Sequence, residues 1–307
     1  MGRYLIKRLL WLVPVLLGIT FVIHTVMSLV PGDPALILLG DTATREQRQA
    51  LRTELGLDRP FMQRYVTYVE RVVTGDLGKS YRSRRPVTTE IADSILPTIK
   101  LGAISLLFTM LMGIPAGVLS AVKRNSWFDH TATLLSLLGL SMPVFWTGLL
   151  LIYYLAYKLP IFPVGGMDNG LMSYILPGFT LALNSVAMVS RMTRSSMLDV
   201  LQEDFVRTAR AKGVPDRTVI FRHALKAAFV PILTVLGLQV GLMLGGAVLT
   251  ETVFSWPGIG RAMVGAIMSR DLLMVQGSVL VLATCFVVVN LATDLCYGFF
   301  DPRIRYE

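Results

Sequence analysis

The sequence predicts an all-α integral membrane protein with six transmembrane helices, and three observations carry that reading. Of its 307 residues, 53% are hydrophobic and 16% charged, against about 25% charged in soluble proteins, and its mean hydropathy is +0.61. Six stretches contain no Asp, Glu, Lys or Arg: Leu9–Val30, Leu101–Val122, Thr131–Tyr157, Gly170–Ser190, Ala227–Thr250 and Leu272–Thr293. Each is long enough to cross a hydrocarbon layer about 30 Å thick, which takes about 20 residues. Finally, basic residues collect on one side. With the N-terminus cytoplasmic, the inside segments hold fifteen Lys and Arg, eight of them between Arg191 and Lys226, while the short outside segments hold three, Lys158, Arg261 and Arg270. That is the positive-inside pattern, and the long loop Pro31–Lys100 stays out of the count because long loops translocate regardless of charge. The net charge of +9 therefore reflects topology and not nucleic-acid binding. Both termini are expected in the cytoplasm of a multi-pass protein of the inner membrane.

Taken in order, residues 1–30 form the cytoplasmic N-terminus and first transmembrane helix. Arg3, Lys7 and Arg8 precede an apolar run too long for a signal peptide and without a small-residue cleavage site before Pro31. Pro31-Gly32-Asp33-Pro34 ends that helix and opens an extracytoplasmic loop, 31–97. Within it, Thr44 with Gln47 reads as a capping box, Gly56 as a stop and Pro60 as a first-turn proline, predicting short helices near 45–55 and 60–73. Gly75-Asp76-Leu77-Gly78-Lys79-Ser80 has two residues between its glycines, where a phosphate-binding loop needs four, so it reads as turn chemistry. A transmembrane core, 98–298, follows, with prolines at 115, 143, 177 and 231 as well as Pro14 in the first helix; neighbouring helices can satisfy the carbonyls these free. Gly237, Gly241 and Gly245 make a smooth stripe suited either to packing in the chain's own bundle or to a partner subunit. A cytoplasmic tail, 299–307, ends the chain.

Residues that could carry chemistry are few. There is no Ser-His-Asp set, no carboxylate pair and no metal spacing among three isolated histidines, so no catalytic residue, metal site or cofactor is expected on this chain. Cys285 and Cys296 lie about 16 Å apart along one helix, too far to bond each other. His24, Asn184, Asn290 and Gln239 are the polar groups read within spans, with His24 read as a structural interhelical contact. Asp294 reads as the one acid bordering a span, paired with Arg303, Arg305 or the basic N-terminus. A gradient-driven transporter usually keeps an ionisable group near mid-membrane, and none stands out. A secondary transporter thus remains as the alternative from another class, and a lipid-holding scaffold as a third.

The basic cytoplasmic segment 191–226 is the most informative stretch. Leu198, Leu201, Phe205 and Ala209 recur at helical spacing and predict one apolar helix face. Gly213 can end that helix in a left-handed conformation, and Asp216 can cap a second with a stripe of Val219, Ile220, His223, Ala224 and Ala227. The pattern is helix, tight turn, helix. Two readings stand: a docking element for a soluble partner, or an interfacial pair lying on anionic membrane lipid.

At Ser141-Met142-Pro143-Val144-Phe145-Trp146, Arg191-Met192-Thr193-Arg194-Ser195-Ser196-Met197, Glu251-Thr252-Val253-Phe254-Ser255-Trp256-Pro257-Gly258 and Asp301-Pro302-Arg303-Ile304-Arg305, together with the Pro31 and Gly75 motifs, the chain resembles the first permease subunit of dipeptide, oligopeptide and nickel ABC importers. The likeness runs almost end to end. It implies the type I ABC importer permease fold, a five-helix core plus an N-terminal helix. It also implies four partners beyond lipid: a homologous second permease, two cytoplasmic ATPases and an extracytoplasmic solute-binding protein. ATP and Mg would sit on the ATPases.

In that family a cytoplasmic Glu-Ala-Ala, three residues, Gly segment docks on the ATPase. This sequence keeps Ala209 and Gly213 but has Arg207 and Thr208 at the Glu and first Ala positions, so the coupling role is implied while a salt bridge from the Glu is not. The coupling residues are then Glu203, Asp204, Phe205, Arg207, Thr208, Ala209, Arg210, Lys212, Gly213 and Val214. Phe205 and Ala209 would act as packing knobs, Arg207, Arg210 and Lys212 as polar contacts, and Gly213 as the turn setting the angle. Arg270-Asp271-Leu272-Leu273 departs from the Tyr-Pro of many relatives, which bears on outer-loop geometry. Peptide is the expected substrate, with a nickel chelate or glutathione as alternatives. By residue type, Met142, Asn184, Met188, Gln239 and Met243 are candidates to line the path.

Overall fold

A computed structural model describes residues 2–29, 32–40 and 42–300, with the side chains of 2–7, 9, 294 and 296–300 left aside. The expectations placed on Pro31, on the tail from 301, on Cys296 and on the pairing of Asp294 fall outside the described residues and side chains.

Among the described residues the chain is helical: α1 (Gly2–Leu29), α2 (Pro34–Leu39), α3 (Arg45–Glu54), α4 (Phe61–Val73), α5 (Val87–Val122), α6 (Trp127–Ser141), α7 (Val144–Lys158), α8 (Met172–Val200), α9 (Asp204–Ala211), α10 (Asp216–Val253), α11 (Ile259–Met268) and α12 (Leu272–Phe300). Five helices are long and apolar enough to cross a membrane on their own, and the pair α6 and α7 makes a sixth span if counted together.

That pair corrects the reading of Thr131–Tyr157 as one helix, because α6 and α7 meet at a 107° bend. Pro143 lacks the N–H that would continue the ladder, and it drives Met142 into extended backbone at φ −83°, ψ 127°. α5 begins at Val87, well before the apolar run at Leu101, and α2 and α11 were not anticipated. α3 starts at the expected reciprocal cap, in which Thr44 Oγ1 accepts from the Gln47 N–H at 3.2 Å and Gln47 Oε1 from the Thr44 N–H at 3.0 Å. α4 follows Pro60, which occupies the cap and not the first turn.

The chain divides into two compact units. One comprises residues up to Thr98 with Pro257–Val287. Its core joins Leu77, Val87 and Ile91 to Ile259, Ala266 and Met274. The Gly75–Ser80 segment is a turn, as expected: Gly75 and Gly78 have φ of +80° and +81°, and Asp76 Oδ1 accepts from the Gly78 N–H at 2.8 Å. Asp271 ties that loop to α12, since one carboxylate oxygen accepts from Ser80 Oγ at 2.6 Å and the Arg82 N–H at 3.2 Å, and the other from the Met274 N–H at 3.1 Å. His24 is buried and shares a 2.9 Å hydrogen bond between its Nδ1 and Gln276 Nε2. This is the interhelical contact expected of it, although Gln276 had not been singled out.

The other unit runs from Ile99 to Trp256 and continues from Val288. Its α5 and α8 cross at small residues, where a Cβ on Gly117 would meet the Ser190 carbonyl and Thr193 Cβ at 2.5 Å. Without a hydrophobic drive between helices in lipid, this close backbone approach is what holds the crossing. Gly237 serves the same purpose against Thr293, whereas Gly245 has open space around it. The glycine stripe therefore divides between packing inside the chain and free surface.

Candidate functional site

The segment between α8 and α10 forms a short helix held on one side. α8 ends at Val200, Leu201 to Glu203 make a turn, and α9 restarts at Asp204. This break corrects the single stripe through Leu198, Leu201, Phe205 and Ala209, because the first two belong to the turn end of α8 and the last two to α9. Val206 is the residue that fixes α9. It is fully buried in a cluster with Val118 and Ala121 of α5, Met197 of α8 and Val219 and Ala224 of α10. Ala209 and Val214 pack at the cluster's edge. Phe205, one position away, is 45% exposed.

The helix ends as its glycine predicts. Gly213 has φ +76°, its N–H donates to the Arg210 carbonyl at 2.9 Å, and the Val214 N–H reaches the Ala209 carbonyl at 3.2 Å. This paired closure uses carbonyls the helix end would otherwise leave unsatisfied, and Val214 supplies the apolar contact that accompanies it. Among the described residues nothing lies within 4 Å of the place a Gly213 Cβ would occupy, so the constraint there is conformational and not steric.

The first turns of α10 also depart from expectation. Pro215 takes the cap position, while the Asp216 carboxylate accepts from Arg210 Nε at 3.1 Å. Val219–Ala224 is a π-helical turn, and its extra residue shifts the face that follows. Buried positions run 219, 224, 228 and 232, so His223 and Ala227, placed on the stripe by a 3.6-residue period, are exposed. A π-turn inserts one residue per turn and rotates every later side chain.

Outward, α9 presents Phe205, Arg207, Thr208, Arg210 and Lys212 to solvent. Arg207 pairs with Asp204 at 2.6 Å and Arg210 with Asp216, both on the exposed surface, where such pairs contribute little stability. Glu203 lies at the cap without a side-chain hydrogen bond to the helix. The surface is thus one exposed aromatic ring among cations, on a helix whose opposite face is pinned.

Behind it lies a clamp that the sequence reading missed. Arg194 Nε and Nη2 donate to the two oxygens of Asp129 at 2.6 and 2.7 Å. Asp129 also accepts from Ser120 Oγ and from the Asn125 N–H, both at 3.0 Å. One carboxylate therefore joins α5, α6 and α8. The Asp129 side chain is 4% exposed, and two-pronged geometry with extra donors is what makes a buried pair tolerable. Asp129 begins α6, and Glu251, fully buried, lies in α10. Asp294 is accordingly not the one acid bordering a span.

The candidates for a path separate by burial. Met142 and Asn184 are half-buried and Met188 is exposed. Gln239 is buried, with its Oε1 accepting from Ser185 Oγ at 3.0 Å, and Met243 packs with Leu101, Leu181 and Trp256.

This fold, with a pinned helix between two long spans, is that of a helical protein with five or six membrane spans. Residues 113–306 match the family described as binding-protein-dependent transport system inner membrane component, and residues 1–102 match its N-terminal counterpart. The chain belongs to this family and is a multi-pass inner-membrane protein. It is 43% identical to the dipeptide transport system permease protein DppB of Alkalihalophilus pseudofirmus and of Escherichia coli K12, and 39% identical to the glutathione transport system permease protein GsiC of Escherichia coli K12, each comparison covering 100% of both chains. Among solved structures, the inward-facing MetNI methionine ABC transporter shares the fold at 15% identity with a TM-score of 0.58, covering 70% of this chain and 97% of that one.

Proposed function

We propose that this chain is a permease subunit of an ATP-driven ABC importer for peptides. It forms half of the translocation path with a homologous second permease, receives substrate from an extracytoplasmic binding protein, and is moved by two cytoplasmic ATPases on which ATP and Mg reside. Both termini lie in the cytoplasm, so α9 faces the ATPases. The observation supporting this reading most strongly is the full-length likeness to dipeptide permeases. The geometry of α9 supports the coupling role: Val206 and the left-handed Gly213 hold the helix rigidly to the bundle, leaving Phe205, Arg207, Thr208, Arg210 and Lys212 available to a partner. ATP binding closes the ATPase pair, segment 203–214 moves with it, and the transmembrane halves rock. Met142, Asn184, Met188, Gln239 and Met243 are the path candidates, with Gln239 and Met243 becoming accessible only if α8 and α10 separate.

A second reading concerns the cargo. The alignments to the glutathione permeases run over 307 positions, the length of this chain, whereas those to the dipeptide permeases need 333 or 338. Glutathione is itself a short peptide, so this changes the cargo and leaves the mechanism intact. Ligand identification on the cognate binding protein separates the two. For coupling, the test is co-purification with the ATPase subunits. Replacing the exposed Phe205 with Asp should reduce their recovery by about tenfold, as loss of an aromatic contact does at interfaces, with the permease still expressed. Unchanged recovery would remove α9 from the contact.

A further inference from the structure

The unit containing α1 to α4 holds a cavity of about 480 Å³ that the transport reading does not use. Its floor is formed by His24 of α1, Tyr68 of α4 and Gln276 of α12, each no more than 3% exposed, with Arg64 beside them. Four buried polar atoms of these residues find no hydrogen-bond partner among the described residues: His24 Nε2, Arg64 Nε, Tyr68 OH and Gln276 Oε1. Buried polar groups are ordinarily satisfied, and each exception calls for an explanation. Each of these atoms has under 1 Å² of accessible surface, so none meets the cavity directly, but all four belong to residues around it, and a polar occupant toward which these side chains turn is the explanation they share.

Their chemistry narrows that occupant. Gln276 Nε2 lies against His24 Nδ1, so the amide donates, Nδ1 accepts, and the proton of the neutral ring sits on Nε2. Burial raises the Tyr68 phenol well above its usual range, so it keeps its proton. Three of the four orphans are therefore donors: the imidazole N–H, the Arg64 Nε–H and the Tyr68 O–H. The walls add Arg59, Arg71 and Lys79. Arg84 is matched by Glu54 at 3.0 Å, and Asp76 is the remaining wall acid. Convergent donors under an excess of positive charge suit an oxyanion.

The position narrows it further. The apolar span of α1 is Leu10–Leu29 and that of α12 begins at Leu272. His24 lies about 7.5 Å along its helix from Leu29, and Gln276 about 6 Å from Leu272. The cavity floor is thus one to one and a half turns inside the ends of two spans, with its basic wall in the adjoining loop. A span of 20 residues covers about 30 Å, the thickness of the hydrocarbon layer, so the floor lies inside that layer and the basic wall beyond it, at headgroup level.

We propose that this cavity binds a phosphate-type oxyanion at the membrane interface, supplied either by the headgroup of an anionic phospholipid or by free phosphate. Arg64, Tyr68 and His24 turn toward its oxygens and donate to them, and Lys79 and Arg71 close over it. Nothing in this depends on the cargo or on the ATPases.

The test uses the full chain purified in detergent. Native mass spectrometry counts retained phosphatidylglycerol against phosphatidylcholine, and thermal unfolding with millimolar inorganic phosphate, against chloride at equal ionic strength, reads the free anion. Wild type should favour one of the two probes. Arg64→Gln should weaken that response by about tenfold and Tyr68→Phe by about threefold, the range for losing a charged and a neutral hydrogen bond. Lys79→Gln, on the exposed rim, weakens it without touching the core and keeps the test decisive if Arg64→Gln does not fold. Phosphatidylglycerol preference lost in the variants identifies lipid as the source; a phosphate shift without lipid preference identifies the free anion. If wild type responds to neither probe, or the response survives all folded variants, the cavity holds water only and the proposal falls.

Discussion

Asp129 shows how one side chain can set the packing of three helices. Its carboxylate satisfies Arg194, Ser120 Oγ and the Asn125 N–H together, so neutralising it strands a half-buried guanidinium. Asp129→Asn should lower stability by about 2–3 kcal/mol, with thermal unfolding in detergent as the measurement; Arg194 is 30% exposed, which lets water recover part of the loss. Tyr81 makes a separate prediction in the outer loop. Burial, reinforced by the Asp271 charge, raises its pKa to about 12 from an ordinary 10. Between pH 10 and 12 the unfolded chain has released this proton while the folded chain still holds it, so stability falls as pH rises through that window. Comparing the pH dependence of unfolding for wild type and Tyr81→Phe should show a shallower alkaline decline in the variant. Neither Asp129 nor Tyr81 stood out in the sequence, because a carboxylate one turn before an apolar run and a tyrosine in a loop look ordinary until their partners, 65 residues away for Asp129 and further for Tyr81, are in place.

At the scale of elements, α9 is defined by how it starts, what pins it and how it stops. The stop was legible: a glycine after a short amphipathic run signals a left-handed closure, and Gly213 adopts it. Gly213→Val should therefore allow ATP hydrolysis to continue while uptake falls, because a β-branched residue resists positive φ at a cost of about 1–3 kcal/mol. Gly213→Asn, which tolerates that conformation, should retain most uptake. Full uptake by the Val variant at normal expression would show that the turn does not set the coupling angle. The start and the pin were not legible. A break at Leu201–Glu203 moved the buried position to Val206, and a π-turn at Val219–Ala224 moved the later stripe by one residue. Periodicity counts residues along an unbroken helix, and one interruption reassigns every face beyond it.

For the whole molecule, the proposal that ATPases drive this chain makes it a passive conduit. Reconstituted alone in liposomes, it should accumulate no peptide under a proton or sodium gradient, with uptake of a labelled dipeptide as the measurement. Accumulation by the lone chain would favour a secondary transporter, for which the buried Glu251 and Asp129 would be the first residues to inspect. The six apolar runs, the capping box of α3 in the outer loop, the Gly75–Ser80 turn, the left-handed closure at Gly213 and the family were all determined by sequence alone, since each rests on local composition, spacing or motif order. Tertiary structure decided the rest: which side of α9 is held, the join between α5, α6 and α8 at Asp129, the pairing of His24 with Gln276, and the donors gathered around one cavity. Those features depend on residues far apart in the chain meeting at hydrogen-bonding distance, and such meetings are set by the path of the backbone and not by any local pattern.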